Sequence, residues 1–306
     1  MTRVLIDTDP GIDDALALLL AWGSPELSVE AITTVAGNVP VTTATRNLDR
    51  LLVLRRPSRR PRVGVGATAP LARPLRTAEH YHGADGLGDL ADWPPDADDD
   101  APGVEARPPA IDLIVQTAAS LGAALTLVAL GPLTNLALAI AASRERMAAV
   151  GRVVVMGGAV DVPGNVTPRA EFNVHVDPEA AERVFNAGLP LDLVPLDATR
   201  QARLTRAELR AALDRAPADF ARRIAAFTAR AFRADDPRGI ALHDPLAVGV
   251  AIDPSLVEWE PVRIEIGGDG ETRRTPGQPN CRVARTVDAP RFRALFLSRL
   301  CTEPGT

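Results

Sequence analysis

Short, nearly uninterrupted apolar runs alternate along this chain with longer segments whose apolar residues recur at helical spacing. The pattern predicts strands at 4–9, 29–37, 62–67, 124–131, 153–158, 191–197 and 259–266. It predicts helices at 12–22, 41–54, 109–121, 132–143 and 177–188, and mostly helix between the last two strands. Strands that are apolar throughout are typical of parallel sheets covered by helices on both faces. The pattern therefore predicts an α/β fold with an open, mostly parallel, Rossmann-like sheet flanked by helices.

Two long irregular stretches interrupt the alternation, at 67–108 and at 160–176. Loops of this length in a compact domain are usually functional or disordered, and the second has too specific a composition for disorder. The first contains the acidic run DWPPDADDDAPG (92–103), which we interpret as a solvated loop. No internal repeat or linker is evident, so residues 1–306 are predicted to form a single domain.

Composition and charge exclude several classes of function. A net charge of −5 argues against nucleic acid as the main partner, since phosphate binding needs a basic face. All 34 basic residues are Arg, which excludes a Lys nucleophile or Schiff base. The two cysteines form no C-x-x-C pattern, so neither a zinc ribbon nor a disulfide framework is expected. With no leader-like segment and no apolar run long enough for a bilayer, we expect a cytoplasmic protein without a membrane partner.

The opening segment RVLIDTDPGIDDALALLL (3–20) concentrates acidic residues where a strand passes into a helix. Four aspartates crowd this junction: Asp7, Asp9, Asp13 and Asp14. The carboxyl end of a strand is the usual ligand crevice of an open α/β sheet. Because so many carboxylates would repel one another, a hard divalent cation among them is the natural expectation.

Four further segments each follow a strand or open a helix: AGN (36–38), ALGPLTN (129–135), GNVTPRAEFN (164–173) and LHDP (242–245). Strand ends of a crossover-connected sheet lie along one edge, so these segments can meet. Amides and carboxylates at this density suit a polyhydroxylated ligand, because each hydroxyl needs a donor and an acceptor. For Asn135, a structural role as a turn or capping residue is as good an explanation as a role in the site. Asp7 could also have a structural role, so neither residue is assigned to the site.

Taken together, DTDPGIDDA, AGN, LGPLTN, EFN followed by VDPEAA, and HDP resemble, in order and spacing, the calcium-dependent nucleoside hydrolases of the inosine–uridine-preferring type. The resemblance extends from Asp7 to Asp244 in five separate blocks. It implies the fold of that family, a Ca²⁺ ion deep in a pocket and hydrolysis of the N-glycosidic bond of ribonucleosides. It also implies a homodimer or homotetramer, as relatives form.

The resemblance also implies roles for individual residues. The Ca²⁺ ligands would be the carboxylates of Asp9, Asp14 and Asp244 and the backbone carbonyl of Leu130. The ribose-binding set would be Asp13, Asn38, Asn165, Glu171 and Asn173. Two histidines, His82 and His243, match positions that the family places near the nucleobase.

A mechanism follows from this assignment. A water bound to Ca²⁺ would be the nucleophile, and Asp9 would be the general base that removes its proton. Cleavage passes through an oxocarbenium-like state that nearby carboxylates stabilise. His243 would donate a proton to the departing base, and direct displacement by water would invert the anomeric centre. Some relatives use a Tyr shortly before this His, whereas residues 227–239 contain Phe227 and Phe232, and Tyr81, the one tyrosine in the chain, lies elsewhere.

Three alternatives were considered, and the sequence argues against the first. A phosphatase of the haloacid dehalogenase type also begins with a strand ending in Asp-x-Asp, but it normally needs a Lys, which this chain lacks. A non-catalytic nucleoside- or ribose-binding protein would be expected to lose the general base or a metal ligand, and neither is lost. The closer alternative lies within the same family, namely a pyrimidine-selective or modified-nucleoside hydrolase.

Overall fold

Helices and strands alternate through most of the chain in the computed structural model, which describes residues 1–90, 103–234 and 237–301. The strands are β1 (Thr2–Thr8), β2 (Leu27–Thr34), β3 (Arg62–Val65), β4 (Leu125–Ala129), β5 (Arg152–Met156), β6 (Leu191–Val194), β7 (Arg203–Leu204), β8 (Ile240–Ala241), β9 (Val257–Ile266), β10 (Thr272–Thr275) and β11 (Cys281–Val287). The helices are α1 (Ile12–Trp22), α2 (Val41–Arg55), α3 (Glu79–His82), α4 (Ala110–Leu121), α5 (Thr134–Ala142), α6 (Arg144–Ala148), α7 (Phe172–Val176), α8 (Pro178–Phe185), α9 (Leu196–Thr199), α10 (Arg206–Leu213), α11 (Ala218–Thr228), α12 (His243–Ile252) and α13 (Ala289–Leu300).

Within the described residues, nine strands form one sheet in the order β10-β9-β11-β6-β5-β4-β1-β2-β3. Neighbouring strands from β3 across to β11 pair in parallel, while β9 runs antiparallel to β11 and to β10. The chain moves outward from β1 to β3 and returns to the other side of β1 with β4. Such a reversal of strand order opens a crevice at the carboxyl ends of the two central strands. The predicted α/β fold with a mostly parallel sheet is confirmed.

The end of the sheet differs from the prediction, which stopped at 259–266. Two further strands follow, β10 and β11, and β9 already begins at Val257. Strand β11 has the sequence CRVARTV, in which Arg282, Arg285 and Thr286 interrupt the small and apolar residues and are more exposed than they are. The strand therefore lacks the continuous apolar run by which the interior strands were predicted.

The two stretches predicted to be irregular contain short helices. Helix α3 lies within 67–108, and α7 closes the stretch 160–176. Each is four or five residues long, which is too short for a helical repeat of apolar positions to show. The solvated loop predicted at 92–103 lies outside the described residues, apart from Gly103.

Helix α1 is buried on all sides, as its nearly continuous apolar sequence requires. Leu16, Leu18, Leu19 and Leu20 are fully shielded from solvent. They belong to a hydrophobic core that includes residues of α12 and α13, while a second core on the other side of the sheet includes residues of α4, α5 and α8. Because three residues join β1 to α1, burial of this helix fixes the strand-to-helix junction at the crevice.

The contact between α12 and α13 gives a test of this packing. A Cβ added at Gly249 would lie 2.6 Å from the ring of Phe292, which is fully buried and cannot move aside. We expect Gly249→Ala to lower the free energy of unfolding by about 1 to 3 kcal/mol, as overpacked core positions do. Urea denaturation measures the change. Gly268→Ala is the matched control, because nothing lies within 4 Å of its added Cβ; equal midpoints for the two variants would contradict the packing.

Candidate active site

The carboxylate of Asp14 is fully buried and held from several directions. Its Oδ1 accepts a hydrogen bond from the hydroxyl of Thr8 at 2.5 Å. Its Oδ2 accepts from the backbone N–H of Gly11 and from the amide of Asn38, both at 3.0 Å. The first of these is a backbone donor left unpaired at the start of α1, so the helix terminus itself anchors the carboxylate.

Asp9 is also fully buried, and two glycines leave the room that its carboxylate occupies. A Cβ on Gly37 would lie 2.0 Å from Asp9 Oδ2, and one on Gly131 would lie 2.6 Å from Oδ1. Oδ2 accepts from the backbone N–H of Asn38 at 2.6 Å, whereas Oδ1 has no hydrogen-bond partner. Burial, and then the charges of Asp14 and Asp13, raise the pKa of Asp9 well above its usual value.

A third carboxylate reaches the same place from α12. Oxygens of Asp13, Asp14 and Asp244 lie within 4.8 Å of one another. Burial raises the pKa of Asp13 to about 6, and burial together with four neighbouring carboxylates raises the pKa of Asp244 well above its usual value. Like charges this close are stabilised either by protonation or by a cation among them.

The donor set fits a hard divalent cation. It consists of oxygen atoms, one of them the unpartnered Oδ1 of Asp9, and such ions prefer carboxylate and carbonyl oxygens. The carbonyl of Leu130 accepts one hydrogen bond, from the amide of Asn173 at 2.6 Å, and so retains a second lone pair. Two of the predicted ligands, Asp14 and Asp244, belong to the tight cluster, and Asp13 is its third carboxylate. Asp9 is not part of that cluster, but both Asp9 and Asp14 are hydrogen-bonded to Asn38.

The polar wall beyond the carboxylates is held by backbone contacts. Glu171 accepts from the backbone N–H groups of Asn173, Val174 and Gly158 at 2.9 to 3.2 Å, although burial still raises its pKa. The Oδ1 of the exposed Asn165 accepts from the N–H of Phe172 at 2.9 Å, so its Nδ2 is the atom that can donate to a ligand.

His82 is buried, and its ring is held by the first turn of α1. The Nδ1 atom accepts from the backbone N–H of Ile12 at 3.0 Å, so in the neutral ring the proton resides on Nε2. Burial lowers its pKa to about 4, with the charge of Asp14 opposing the shift. The imidazole is thus fixed as a donor at the edge of the crevice.

His243 opens α12, directly before the clustered Asp244. Its Nδ1 lies 2.7 Å from the hydroxyl of Thr199, which therefore orients the ring. Burial, followed by the positive charges of Arg200 and Arg203, lowers the pKa of His243 to about 4.

These groups surround one cavity of about 240 Å³. Nine of the predicted site residues line it: Asp13, Asn38, His82, Leu130, Asn165, Glu171, Asn173, His243 and Asp244. The remaining two, Asp9 and Asp14, are buried beside it through their bonds to Asn38. Five segments far apart in sequence therefore meet at the strand ends, as the topology predicts.

The structure adds residues that the sequence reasoning did not assign to the site. Tyr81 lines the cavity with 43% of its surface exposed, as does Val166 at 46%. Tyr81 was set aside because it lies far from His243 in sequence, yet the fold brings both to one cavity. Its position next to His82 was a usable signal, whereas nothing in the sequence marked Thr199 as the partner of His243.

Residues 4–294 match the family described as inosine-uridine preferring nucleoside hydrolase. An inosine-uridine preferring nucleoside hydrolase of Leishmania major is 37% identical over 310 residues, covering 97% of each chain. A pyrimidine-specific ribonucleoside hydrolase, RihA of Salmonella agona, is 35% identical over 315 residues, again covering 97% of each. Among solved structures, the plant nucleoside hydrolase PpNRh1 superimposes with a TM-score of 0.89 at 36% identity, covering 98% of this chain and 99% of that one.

Across the described ranges, none of the helices is both long and apolar enough to cross a membrane.

Behind the cavity, Asn135 supports the buried Asp7. Its amide nitrogen donates to Asp7 Oδ1 at 2.8 Å and to the carbonyl of Thr34 at 3.0 Å, and its Oδ1 accepts from the N–H of Ala67 at 2.9 Å. Thr33 donates to the same Asp7 oxygen at 2.5 Å. Asn135 therefore holds strand ends together and does not line the cavity.

We expect Asn135→Ala to lower the free energy of unfolding by about 2 to 4 kcal/mol, because it leaves buried groups without partners. Urea denaturation measures the loss. Asn186→Ala, at the exposed C-cap of α8, is the control and should cost far less. A similar small effect for both variants would contradict the supporting role.

Proposed function

Because the chain belongs to the inosine-uridine preferring nucleoside hydrolase family, we propose that it hydrolyses the N-glycosidic bond of ribonucleosides to a free base and ribose. The observation that supports this most directly is the convergence of buried carboxylates and amides around one cavity. That chemistry suits the hydroxyls of a ribose and the positive charge that glycosidic cleavage creates on the sugar.

We propose Ca²⁺ as the cofactor, with the carboxylates of Asp9, Asp14 and Asp244 and the carbonyl of Leu130 as its protein ligands. When bound, such an ion neutralises the carboxylates and lowers the pKa of a coordinated water. Asp9 then acts as the general base, for which its unpartnered and buried Oδ1 is suited.

The ribose-binding set does the positioning. Asp13 and Asn38 line the cavity from the segments that follow β1 and β2, and Asn165, Glu171 and Asn173 line it from α7 and the segment before it. In this position, the anomeric carbon of the sugar is open to attack by water on the face opposite the nucleobase. The nearby carboxylates stabilise the oxocarbenium-like charge, and direct attack by water inverts the anomeric centre.

His82 and His243 serve the nucleobase. The ring of His82 is fixed by Ile12 and that of His243 by Thr199, so both are oriented before a ligand arrives. A hydrogen bond donated from either ring would stabilise the negative charge that develops on the base as it takes the bonding electrons. We assign leaving-group activation to His243 because it adjoins the clustered Asp244.

A pyrimidine-selective or modified-nucleoside hydrolase is the alternative within the family, favoured by the similarity to a pyrimidine-specific relative. Outside enzymes, the alternative is a nucleoside-binding protein. We further propose a cytoplasmic homodimer or homotetramer. The two cysteines are free, as in a reducing compartment, and the oligomer follows the family resemblance.

The first experiment measures release of free ribose from inosine, adenosine, guanosine, uridine and cytidine. We expect release to be lost after dialysis against a chelator and restored by Ca²⁺, and the thermal midpoint to rise on Ca²⁺ addition. The ranking of the five substrates decides between pyrimidine-selective and broader activity. Full activity after chelation would refute the metal, and a protein that binds these nucleosides without cleaving them would be a binding protein.

The general base is tested by Asp9→Asn, which keeps the shape of the side chain but cannot accept the proton. Turnover should fall by about a hundredfold to ten-thousandfold, the range in which positioned bases contribute. Steady-state kinetics of ribose release at saturating Ca²⁺ give the value. Asp112→Asn, on the exposed face of α4, is the control. Turnover within a few-fold of the unmodified protein would rule out Asp9 as the base.

A further inference from the structure

A second cavity of about 260 Å³ adjoins the first, and we call it the annex. Tyr81, Asn165 and His243 line both cavities. The remaining residues around the annex are Arg200, Arg203, Ala231, Phe232, Gly239, Ile240 and Ala241. Because His243 stands between the two spaces, the annex lies on the side of the cavity that we assign to the nucleobase.

Charge is divided sharply between the two spaces. The first cavity is lined by the carboxylates of Asp13, Glu171 and Asp244. Among the described residues that line the annex there is no carboxylate, and two are arginines. A ligand that spans both cavities therefore meets negative groups at one end and positive groups at the other.

The guanidinium of Arg200 is held in place by two backbone carbonyls. Its guanidinium donates to the carbonyls of Pro163 at 2.6 Å and Gly164 at 3.0 Å. Both acceptors are neutral, and within the ranges that the structure describes the side chain makes no ion pair with a carboxylate, so its charge is not cancelled. These two bonds also fix the backbone directly before Asn165, which lines both cavities.

Arg200 also faces the nucleobase side of the site. It follows Thr199, whose hydroxyl lies 2.7 Å from His243 Nδ1. Arg200 and His243 also line the same annex, so the guanidinium and the imidazole border one space.

Resting on the function proposed above, we propose that Arg200 stabilises the negative charge that develops on the departing nucleobase, so that the base leaves as an anion. When the glycosidic bond breaks, both bonding electrons pass to the base nitrogen, and the sugar becomes positive. Water forms the new bond to the anomeric carbon and gives its proton to Asp9. The base leaves as an anion to which His243 donates a hydrogen bond without transferring its proton, and the anion takes a proton from solvent after release. The carboxylates of the first cavity thus lie near the sugar, which becomes positive, and the arginines of the annex lie near the base, which becomes negative.

The test compares two leaving groups of different charge. Uridine releases a base that becomes negative. Nicotinamide riboside carries a permanent positive charge on its base and releases it neutral, so a cation beside that base opposes binding and gives no help in cleavage. The ratio of the two activities in one sample is independent of how much of the protein is folded.

We expect Arg200→Gln to lower kcat/KM for uridine by about 10- to 100-fold, somewhat less than loss of a direct oxyanion donor. For nicotinamide riboside the same variant should show no loss, or a gain. If that compound is not cleaved, its inhibition constant against uridine should fall in the variant. Arg200→Lys keeps the charge but not the paired contacts to Pro163 and Gly164, and should recover most of the uridine activity.

Arg210→Gln is the matched control, because it removes one exposed positive charge from α10 and leaves the annex lining intact. It should leave both activities unchanged. Equal losses on both substrates in Arg200→Gln, or no loss on either, would overturn the inference while leaving the proposed function standing. Failure of the unmodified protein to cleave any ribonucleoside would overturn the proposed function, and this inference with it.

Discussion

Mutual repulsion among buried carboxylates is the constraint on which the rest of this structure depends. Asp9, Asp14 and Asp244 are each buried at the point where the strand order reverses. Carboxylates in such a place are unfavourable unless each is hydrogen-bonded and a cation balances the charge. The fold supplies hydrogen bonds to Asp9 and Asp14 through Thr8, the N-terminus of α1 and the amides of Asn38. The second requirement is the physical reason for expecting a hard divalent ion.

Several polar groups around this cluster are held in place by backbone N–H groups. Glu171 is held by three N–H groups, and the ring of His82 by the first N–H of α1. One layer further out, Asn135 joins Asp7 to the end of β2. Preorganisation of this kind places charges before a ligand arrives, which is where enzymes obtain most of their electrostatic stabilisation. The helices bury their apolar faces and so keep the strand ends in register.

The site is also asymmetric in charge. Carboxylates line the cavity that suits a sugar, and guanidinium groups line the adjoining annex. His243, which Thr199 orients, and Tyr81, which is 43% exposed, line both spaces. Glycosidic cleavage makes the sugar positive and the nucleobase negative, so this arrangement places negative groups near the first and positive groups near the second.

The sequence by itself determined the elements whose signal is local. Continuous apolar runs identified β1, β4, β5 and β6, and the aspartates after β1 identified the site, because strand ends of a parallel sheet share one edge. Strand β11 escaped detection because two arginines and a threonine interrupt its small and apolar residues. Only the tertiary structure decided that Asp13 joins the tight carboxylate cluster and that Tyr81 reaches the cavity. It also decided that Arg200, next to Thr199, lies in an annex whose described lining residues include no carboxylate. Those relations depend on side chains from distant segments meeting at particular distances, and no periodicity along a single chain encodes them.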